Sequence, residues 1–136
     1  MSAAPDAPGA ANRSKIVLGV DDLPENLAAL RGFVTAAGYT FFEAESGEDC
    51  LSLTARVTPR VVLLDVQMPG LDGFTTCKRL RAQEGMRHVP ILFLTARKTA
   101  ADVLEGVRAG GNDFIAKPVD RDRLLQRLQH WIGRRV

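Results

Sequence analysis

The amino-acid sequence predicts an α/β fold in which a parallel sheet carries helices on both faces. From Lys15 onward, five short apolar runs alternate with five helical patterns, and the first, third and fourth runs are almost continuously apolar. Alternation of strand and helix implies parallel strands joined by right-handed crossovers. Uninterrupted apolar strands are typical of a sheet that is covered on both sides. We therefore expect one doubly wound (βα)₅ domain.

The predicted strands are short and rich in β-branched or aromatic residues, as strands of a buried sheet usually are. In chain order they are Ile16–Val20, Tyr39–Ala44, Val61–Asp65, Ile91–Thr95 and Asp113–Ala116. They lie far enough apart for a helix between each pair.

Each predicted helix has a start or stop signal at one end or both. Side chains that accept from the first backbone amides, or a proline in the first turn, mark helix starts, and glycine or proline marks helix ends. The starts are Pro24, Ser46 with Asp49, Asp72 and Asp120, and the ends are Gly38, before Pro59, and Gly110–Gly111.

The apolar stripes of four helices predict which residues face the sheet. The inward residues are Leu27, Leu30, Val34 and Ala37; then Phe74, Cys77 and Leu80; then Val103, Leu104 and Val107; and finally Leu124, Leu125, Leu128, Trp131 and Ile132. We interpret Trp131 as a core residue and not as a binding residue.

Length and composition bound the possible functions. The chain has 136 residues, 46% of them hydrophobic, and a formal charge of +2, which suits one globular domain and argues against nucleic-acid or membrane binding. No apolar run approaches the roughly 20 residues of a membrane span, and the N-terminus lacks the apolar core of a signal peptide. We expect a flexible tail over residues 1–13, a domain over 14–136, two free cysteines and a cytoplasmic location.

Polar side chains interrupt the apolar pattern at the ends of four strands. Asp21 and Asp22 follow the first strand, Asp65 closes the third, Thr95 closes the fourth and Lys117 follows the fifth. The carboxyl ends of parallel strands meet at one edge of a doubly wound sheet, where ligands bind. We therefore expect these five residues to share one pocket.

The residue types in this pocket indicate phosphoryl chemistry that depends on Mg²⁺. Neighbouring carboxylates repel one another unless a cation lies among them, and Mg²⁺ prefers hard oxygen ligands. Asp65 is placed to attack phosphorus and form an aspartyl phosphate, while Lys117 supplies positive charge and Thr95 a hydroxyl donor. Taken singly, Asp22 could be a turn residue, Thr95 a strand residue and Lys117 a solvated cation, so the combination carries the interpretation.

Four segments in this order resemble the receiver (chemotaxis-type response regulator) domains of two-component signalling. They are IVLGVDD, VVLLDVQMPGLDG, ILFLTA and GGNDFIAKP. The resemblance implies a flavodoxin-like strand order 2-1-3-4-5 and Asp65 as the phosphoacceptor. It also implies Mg²⁺ coordination by Asp22, Asp65 and the backbone carbonyl of Gln67, with Asp21 acting mainly through a bound water.

The resemblance assigns roles to further residues near the end of the chain. Thr95 and Lys117 would contact the phosphoryl group, and the Lys117–Pro118 peptide bond would be cis. Phe114 would be the switch aromatic, whose ring turns inward when Thr95 moves toward the phosphoryl group.

The implied function is a receiver that takes phosphate from a histidine kinase or a histidine phosphotransfer protein and then changes a surface. That surface would engage a downstream protein, an attached output domain or a second copy, through the fourth helix, fifth strand and fifth helix. Its charged residues would include Arg108, Asp113, Asp122 and Arg123. Two alternatives remain: a receiver-like module that phosphate does not regulate, and an aspartyl-nucleophile phosphatase. The phosphatase is the weaker alternative, because Gln67 stands where such enzymes need a second acid.

Overall fold

The computed structural model describes residues 15–96 and 98–133, which form alternating strands and helices. The strands are β1 (Ile16–Val20), β2 (Thr40–Ala44), β3 (Val61–Asp65), β4 (Ile91–Thr95) and β5 (Asp113–Ala116). The helices are α1 (Pro24–Ala36), α2 (Gly47–Thr54), α3 (Gly73–Ala82), α4 (Ala100–Ala109) and α5 (Arg121–Gly133). The tail predicted for residues 1–13 lies outside the described residues.

All five strands pair in parallel in the order β2-β1-β3-β4-β5, which confirms the predicted flavodoxin-like fold. Four strands have the predicted bounds. The exception is β2, which begins at Thr40 because the Tyr39 amide donates 3.3 Å to the Val34 carbonyl and so still belongs to the turn that closes α1. Because every strand runs the same way, all carboxyl ends lie at one edge of the sheet.

Two hydrophobic clusters cover the two faces of the sheet. One joins β-strand residues such as Leu64 and Phe93 to α2, α3 and α4, and the other joins Leu63 and Leu92 to α1 and α5. Neighbouring residues of β3 thus point to opposite faces, and both are fully buried. A buried leucine contributes roughly 1.5–3 kcal/mol relative to an exposed one. The apolar runs are therefore explained by burial on both sides.

The predicted N-terminal caps are present at α2, α3 and α5. The side chains of Ser46, Asp72 and Asp120 accept backbone amides three residues later at 3.0, 2.8 and 2.9 Å. A capping box that the sequence pattern did not single out, Thr99 with Asp102, begins α4. Each cap satisfies an amide that the helix cannot, and typically stabilises by about 1 kcal/mol.

The predicted inward face of α4 is wrong. Leu104 and Val107 are 50% and 60% exposed, and the buried residues of this helix are Gly106 and Ala109. The helix lies so close to the ring of Phe93 that only small residues fit between them. Leu104 and Val107 of the predicted stripe therefore face solvent, whereas Val103 is half-buried.

Two other predicted core residues need smaller corrections. Ala37 is exposed, because α1 ends at Ala36 and the chain turns away through Gly38, whose φ is 97°. Trp131 is only half-buried, and its indole N–H donates 2.9 Å to the Asp113 carboxylate. Trp131 therefore packs against the sheet and also forms a hydrogen bond with Asp113, the first residue of β5.

Candidate functional site

The carboxylate of Asp21 is fully buried where β1 ends. The Leu23 amide donates to its Oδ1 at 3.0 Å, and the Asn26 side-chain amide lies 3.3 and 3.2 Å from the two oxygens. The Asp21 amide itself donates 3.2 Å to the Ala44 carbonyl, which ties the turn to β2. These bonds fix the direction in which the carboxylate points.

Asp65 lies at the end of β3 and is 4% exposed. The first turn of α3 lies directly over its backbone, where the Gly73 amide donates 2.8 Å to the Val66 carbonyl. A Cβ at position 73 would overlap the Asp65 carbonyl oxygen. Glycine is therefore required there for α3 to begin this close to the strand end.

Lys117 bridges the two buried carboxylates. Its Nζ lies 3.0 Å from Asp21 Oδ2 and 2.9 Å from Asp65 Oδ1, although the chain separates it from them by 96 and 52 residues. The Lys117 amide donates 2.8 Å to the carbonyl of Thr95, which is itself buried, and the Lys117–Pro118 peptide bond is cis. The sheet therefore brings the predicted residues of β1, β3, β4 and β5 together.

The acids of the site form a group that could hold a divalent cation. One oxygen from each of Asp21, Asp22 and Asp65 lies within 4.8 Å of the others. Asp22 is half-buried, and Gln67 is exposed just after the strand. Oxygen donors with formal negative charge, at a position that still admits water, suit Mg²⁺, which keeps part of its hydration shell. The donor set therefore fits the ion that the resemblance implied.

Burial and neighbouring charge shift the pKa values of both partners in the central ion pair. Burial raises the pKa of Asp65 above its ordinary 3.8; the bond from Lys117 opposes this, and the charge of Asp21 adds to it. Burial lowers the pKa of Lys117, but its bonds to Asp65 and Asp21 outweigh burial and raise it. Lysine has two anionic partners, whereas Asp65 has one cation and an anionic neighbour. The ionised form of Asp65 is thus incompletely compensated, and an added cation would relieve it.

Phe114 lies on β5, which β4 separates from the strand of Asp65, and it packs against the core. Its ring centroid is 5.3 Å from that of Phe93, which in turn makes an edge contact with Phe74 at 5.0 Å. Arg108, Asp122 and Arg123 of the predicted partner surface are exposed. The fourth charged residue, Asp113, is half-buried and bonds Trp131 and Arg127.

Two residues that position the site were not singled out from the sequence. Asn26 orients Asp21, and its signal was a polar residue in the first turn of a helix that starts beside the acids. Gly73 admits α3 to the strand end, and its signal was a glycine next to the helix cap Asp72.

The family model described as response regulator receiver domain matches residues 17–129. The chain belongs to this family. The receiver domain is 38% identical over 113 residues to the response regulator PleD of Caulobacter vibrioides, with 83% of the chain and 25% of PleD covered. It is 33% identical to the protein PilH of Pseudomonas aeruginosa, with 82% of the chain and 93% of PilH covered.

A solved structure agrees with the family assignment and bears on the acids. The receiver domain of the sensor histidine kinase PA1611 from Pseudomonas aeruginosa, which has magnesium coordinated in its active-site cleft, is similar with a TM-score of 0.82. Identity is 34%, and 88% of this chain and 98% of that chain are covered. The chain is thus a receiver domain of two-component systems with an acidic cluster at the phosphorylation site. It spans about a quarter of PleD, and in the ranges the structure describes no helix is long and apolar enough to span a membrane.

Proposed function

We propose that this receiver domain is a phosphorylation-dependent signalling switch in which Asp65 accepts a phosphoryl group. The donor would be a histidine kinase or a histidine phosphotransfer protein. The observation that carries the proposal is the contact of one ammonium group, Lys117 Nζ, with two buried carboxylates 2.9 and 3.0 Å away. An ion pair that served stability alone would not need a third acid, Asp22, beside it.

The transfer follows from the position of Asp65 Oδ. A carboxylate oxygen attacks the phosphorus of a phosphohistidine, the P–N bond breaks as the P–O bond forms, and the imidazole leaves with the electron pair. The product is an acyl phosphate on Asp65 and a histidine that takes up a proton. Phosphoryl transfer depends mainly on positioning and charge neutralisation, and Lys117 is held where the charge of the transferred oxygens would develop.

Asp21, Asp22, Asp65 and the Gln67 carbonyl would hold Mg²⁺, with Asp21 acting mainly through water. When bound, the ion would supply positive charge that, together with the Lys117 ammonium, offsets the negative charge of the phosphoryl oxygens. The fixed hydrogen bonds from Leu23 and Asn26 keep the Asp21 carboxylate in place while the acceptor changes charge.

The change would reach the surface through Thr95 and Phe114. The Thr95 carbonyl accepts a hydrogen bond from the Lys117 amide. A movement of Thr95 would therefore be coupled to a movement of Lys117. A phosphoryl group adds a charge of roughly −2 and new acceptor oxygens, which favours movement of Thr95 toward it. The Phe114 ring would then occupy the space that Thr95 leaves.

A cavity of about 440 Å³ opens beside Lys117 and supports an approach route for the donor. Its walls are α1 and the segment after β5, and its apolar residues include Leu30, Phe33, Pro118 and Val119. We propose that a helix of the phosphodonor docks here, which places its phosphohistidine at Asp65.

Intact-mass spectrometry after incubation with acetyl phosphate and Mg²⁺ tests the proposal. The wild type should gain the mass of one phosphoryl group. Asp65→Asn should gain none, whereas Asp120→Asn, which alters an exposed cap acid that asparagine can replace, should behave like the wild type. Chelation of Mg²⁺ should slow the gain strongly.

Two outcomes would favour the alternatives. No added mass on the wild type, or a gain that survives Asp65→Asn, would indicate a module that phosphate does not regulate. Continuous release of phosphate from a phosphomonoester would indicate a phosphatase. Receiver domains generally act as signalling modules, and we expect no separate substrate that this chain turns over.

A further inference from the structure

Helix α4 is anchored at its carboxyl end and loosely supported at its amino end. The Cys77 thiol donates 3.3 Å to the Ala109 carbonyl. The Arg81 guanidinium donates to the Gly110 carbonyl through two nitrogens, at 3.0 and 2.7 Å. By contrast, none of the residues 100–105 is buried. Displacement of the helix would therefore be a swing of the amino half about Gly110.

The Phe114 ring fills a notch in α4 at Gly106. A Cβ at position 106 would lie 2.5 Å from Phe114 Cζ and 3.0 Å from Phe93 Cε2. The first distance is shorter than carbon atoms tolerate, so the ring and any side chain at position 106 exclude each other. Gly106 is buried in the middle of a helix, where glycine costs roughly 0.5–1 kcal/mol relative to alanine. Packing against the aromatic rings therefore requires glycine at position 106, although glycine is ordinarily disfavoured in the interior of a helix.

We propose that Gly106 is a positioning residue for Phe114, and that the notch makes the position of the ring and the position of the amino half of α4 mutually dependent. This inference rests on the proposed switch and adds the part that receives its movement. When the ring leaves or enters the notch, the anchored end of α4 stays with Arg81, and the surface that changes is formed by residues 100–105, which include the exposed Leu104.

The direction follows from the state of the site. Lys117 bonds the Asp65 carboxylate directly, which is the arrangement of an unmodified acceptor, and the ring lies in the notch in the same structure. A side chain at position 106 would disfavour this arrangement relative to one in which the ring has moved. The modified state would become easier to reach, because a perturbation that destabilises one of two states shifts the population to the other.

The first measurement is a thermal double-mutant cycle that needs no phosphate. Gly32→Ala is the matched control, since Gly32 lies within α1 and a methyl group added there would have nothing within 4 Å, and it should raise the Tm by about 2–4 °C. Gly106→Ala should lower the Tm instead. In a Phe114→Ala background Gly106→Ala should lower it far less, because the closer ring is gone and only Phe93 Cε2, at 3.0 Å, remains near the added methyl group. A similar loss in both backgrounds would overturn the ring–notch contact.

The second measurement is binding of beryllofluoride with Mg²⁺, together with amide hydrogen exchange. Gly106→Ala should bind beryllofluoride about fivefold more tightly than the wild type, which is roughly 1 kcal/mol of population shift. Gly32→Ala should leave this affinity unchanged. Exchange should rise in residues 100–105 of Gly106→Ala and stay protected at 109–111. Unchanged or weaker binding, or a rise spread over the whole helix, would overturn the positioning role.

The two proposals fail in different ways. If the wild type neither gains phosphate nor binds beryllofluoride, the signalling function fails and the positioning role fails with it, while the thermal cycle still decides whether ring and notch touch. If the wild type is phosphorylated on Asp65 but Gly106→Ala changes neither binding nor exchange, only the inference about Gly106 is wrong.

Discussion

Lys117 and Arg81 are half-buried cations at opposite edges of the same sheet, and their partners differ in kind. Lys117, at the carboxyl edge, bonds two carboxylates. Among the described residues, the partners of Arg81, near the amino edge, are uncharged oxygens: the carbonyls of Met86, Arg87, Val89 and Gly110 and the side-chain carbonyl of Asn112. Burial lowers the pKa of Arg81, whereas the carboxylates raise that of Lys117.

The difference in partners distinguishes the two edges of the sheet. We call the amino edge, at Arg81, the fixed edge, because its partners cannot change charge, and the carboxyl edge, at Lys117, the changeable edge, because its partners can. Backbone carbonyls carry no formal charge and are neither protonated nor phosphorylated at ordinary conditions, so the charge of the groups around Arg81 stays the same when the acids at the other edge change. A carboxylate can gain a proton, a metal or a phosphoryl group, and each event changes what Lys117 contacts. Arg81 therefore acts as a structural clamp between α3 and the segments before β4 and β5. Lys117 instead contacts a site whose charge can change.

The largest expected effect on stability comes from removing Arg81 at the fixed edge. Arg81→Ala should lower the free energy of unfolding by about 3–5 kcal/mol, because it leaves several half-buried carbonyls without a donor at once. Arg81→Lys should recover only part of the loss, since an ammonium lacks the planar fork that reaches both Gly110 and Val89. Urea denaturation measures both values.

Arg79→Ala is the matched control for this prediction. Arg79 is exposed on the same helix, so its removal should change stability by less than about 0.5 kcal/mol. Equal effects of the two alanine variants would mean that the clamp contributes nothing beyond an ordinary surface arginine.

The contrast also explains what the sequence could and could not predict. The acids and Lys117 were found because a charged residue at the end of an apolar strand breaks a pattern, and topology then places strand ends together. Arg81 carries no such signal. It lies among other basic residues of α3, and its role depends on which oxygens the segments before β4 and β5 present to it, a property of packing that periodicity does not encode.

The error at α4 has a related origin. Leu104 and Val107 were predicted to face the core because apolar residues at helical spacing usually do. The rings of Phe93 and Phe114 beneath the helix decided otherwise, since a side chain at position 106 would meet them and the helix buries only Gly106 and Ala109. Distance between helix and sheet is set by side chains of another strand, which the pattern of one helix cannot supply. Strand bounds, by contrast, rest on local pattern, and four of the five were predicted correctly. The strand order, which was also correct, came from the resemblance to receiver domains and not from the pattern.

An effect of intermediate size is expected at Asp65, on the changeable edge, in the pH dependence of the free energy of unfolding. The folded pKa of Asp65 is raised above the ordinary 3.8, so between these two values the folded state holds more protons than the unfolded state. The free energy of unfolding should therefore fall as pH rises through that window, with a slope of at most about 1.4 kcal/mol per pH unit. Asp65→Asn should remove this decline and be more stable near neutral pH by on the order of 1 kcal/mol.

The comparison is made without Mg²⁺ and then with it. Chelated wild type and Asp65→Asn should diverge as pH rises, and Mg²⁺ should bring the wild-type curve back toward the variant because the cation compensates the ionised acid. Asp120→Asn, at an exposed cap, should run parallel to the wild type. Parallel curves for the wild type and Asp65→Asn would show that burial of this carboxylate has no net cost.

The smallest effect is expected from Asn112→Asp, which places a carboxylate beside Arg81 and so gives the fixed edge the kind of ion pair that the changeable edge has. Asn112 Oδ1 accepts from Arg81 Nη2 at 2.9 Å and from the Ile91 amide at 2.8 Å, and an aspartate can keep both bonds while adding a charge. Because residue 112 is exposed, Asn112→Asp should stabilise by only about 0.5 kcal/mol. High salt should remove the gain by screening, and the gain should be absent in an Arg81→Ala background. A gain that persisted without Arg81 would mean that the new charge acts on another group, and the clamp would then be indifferent to the charge of its partner.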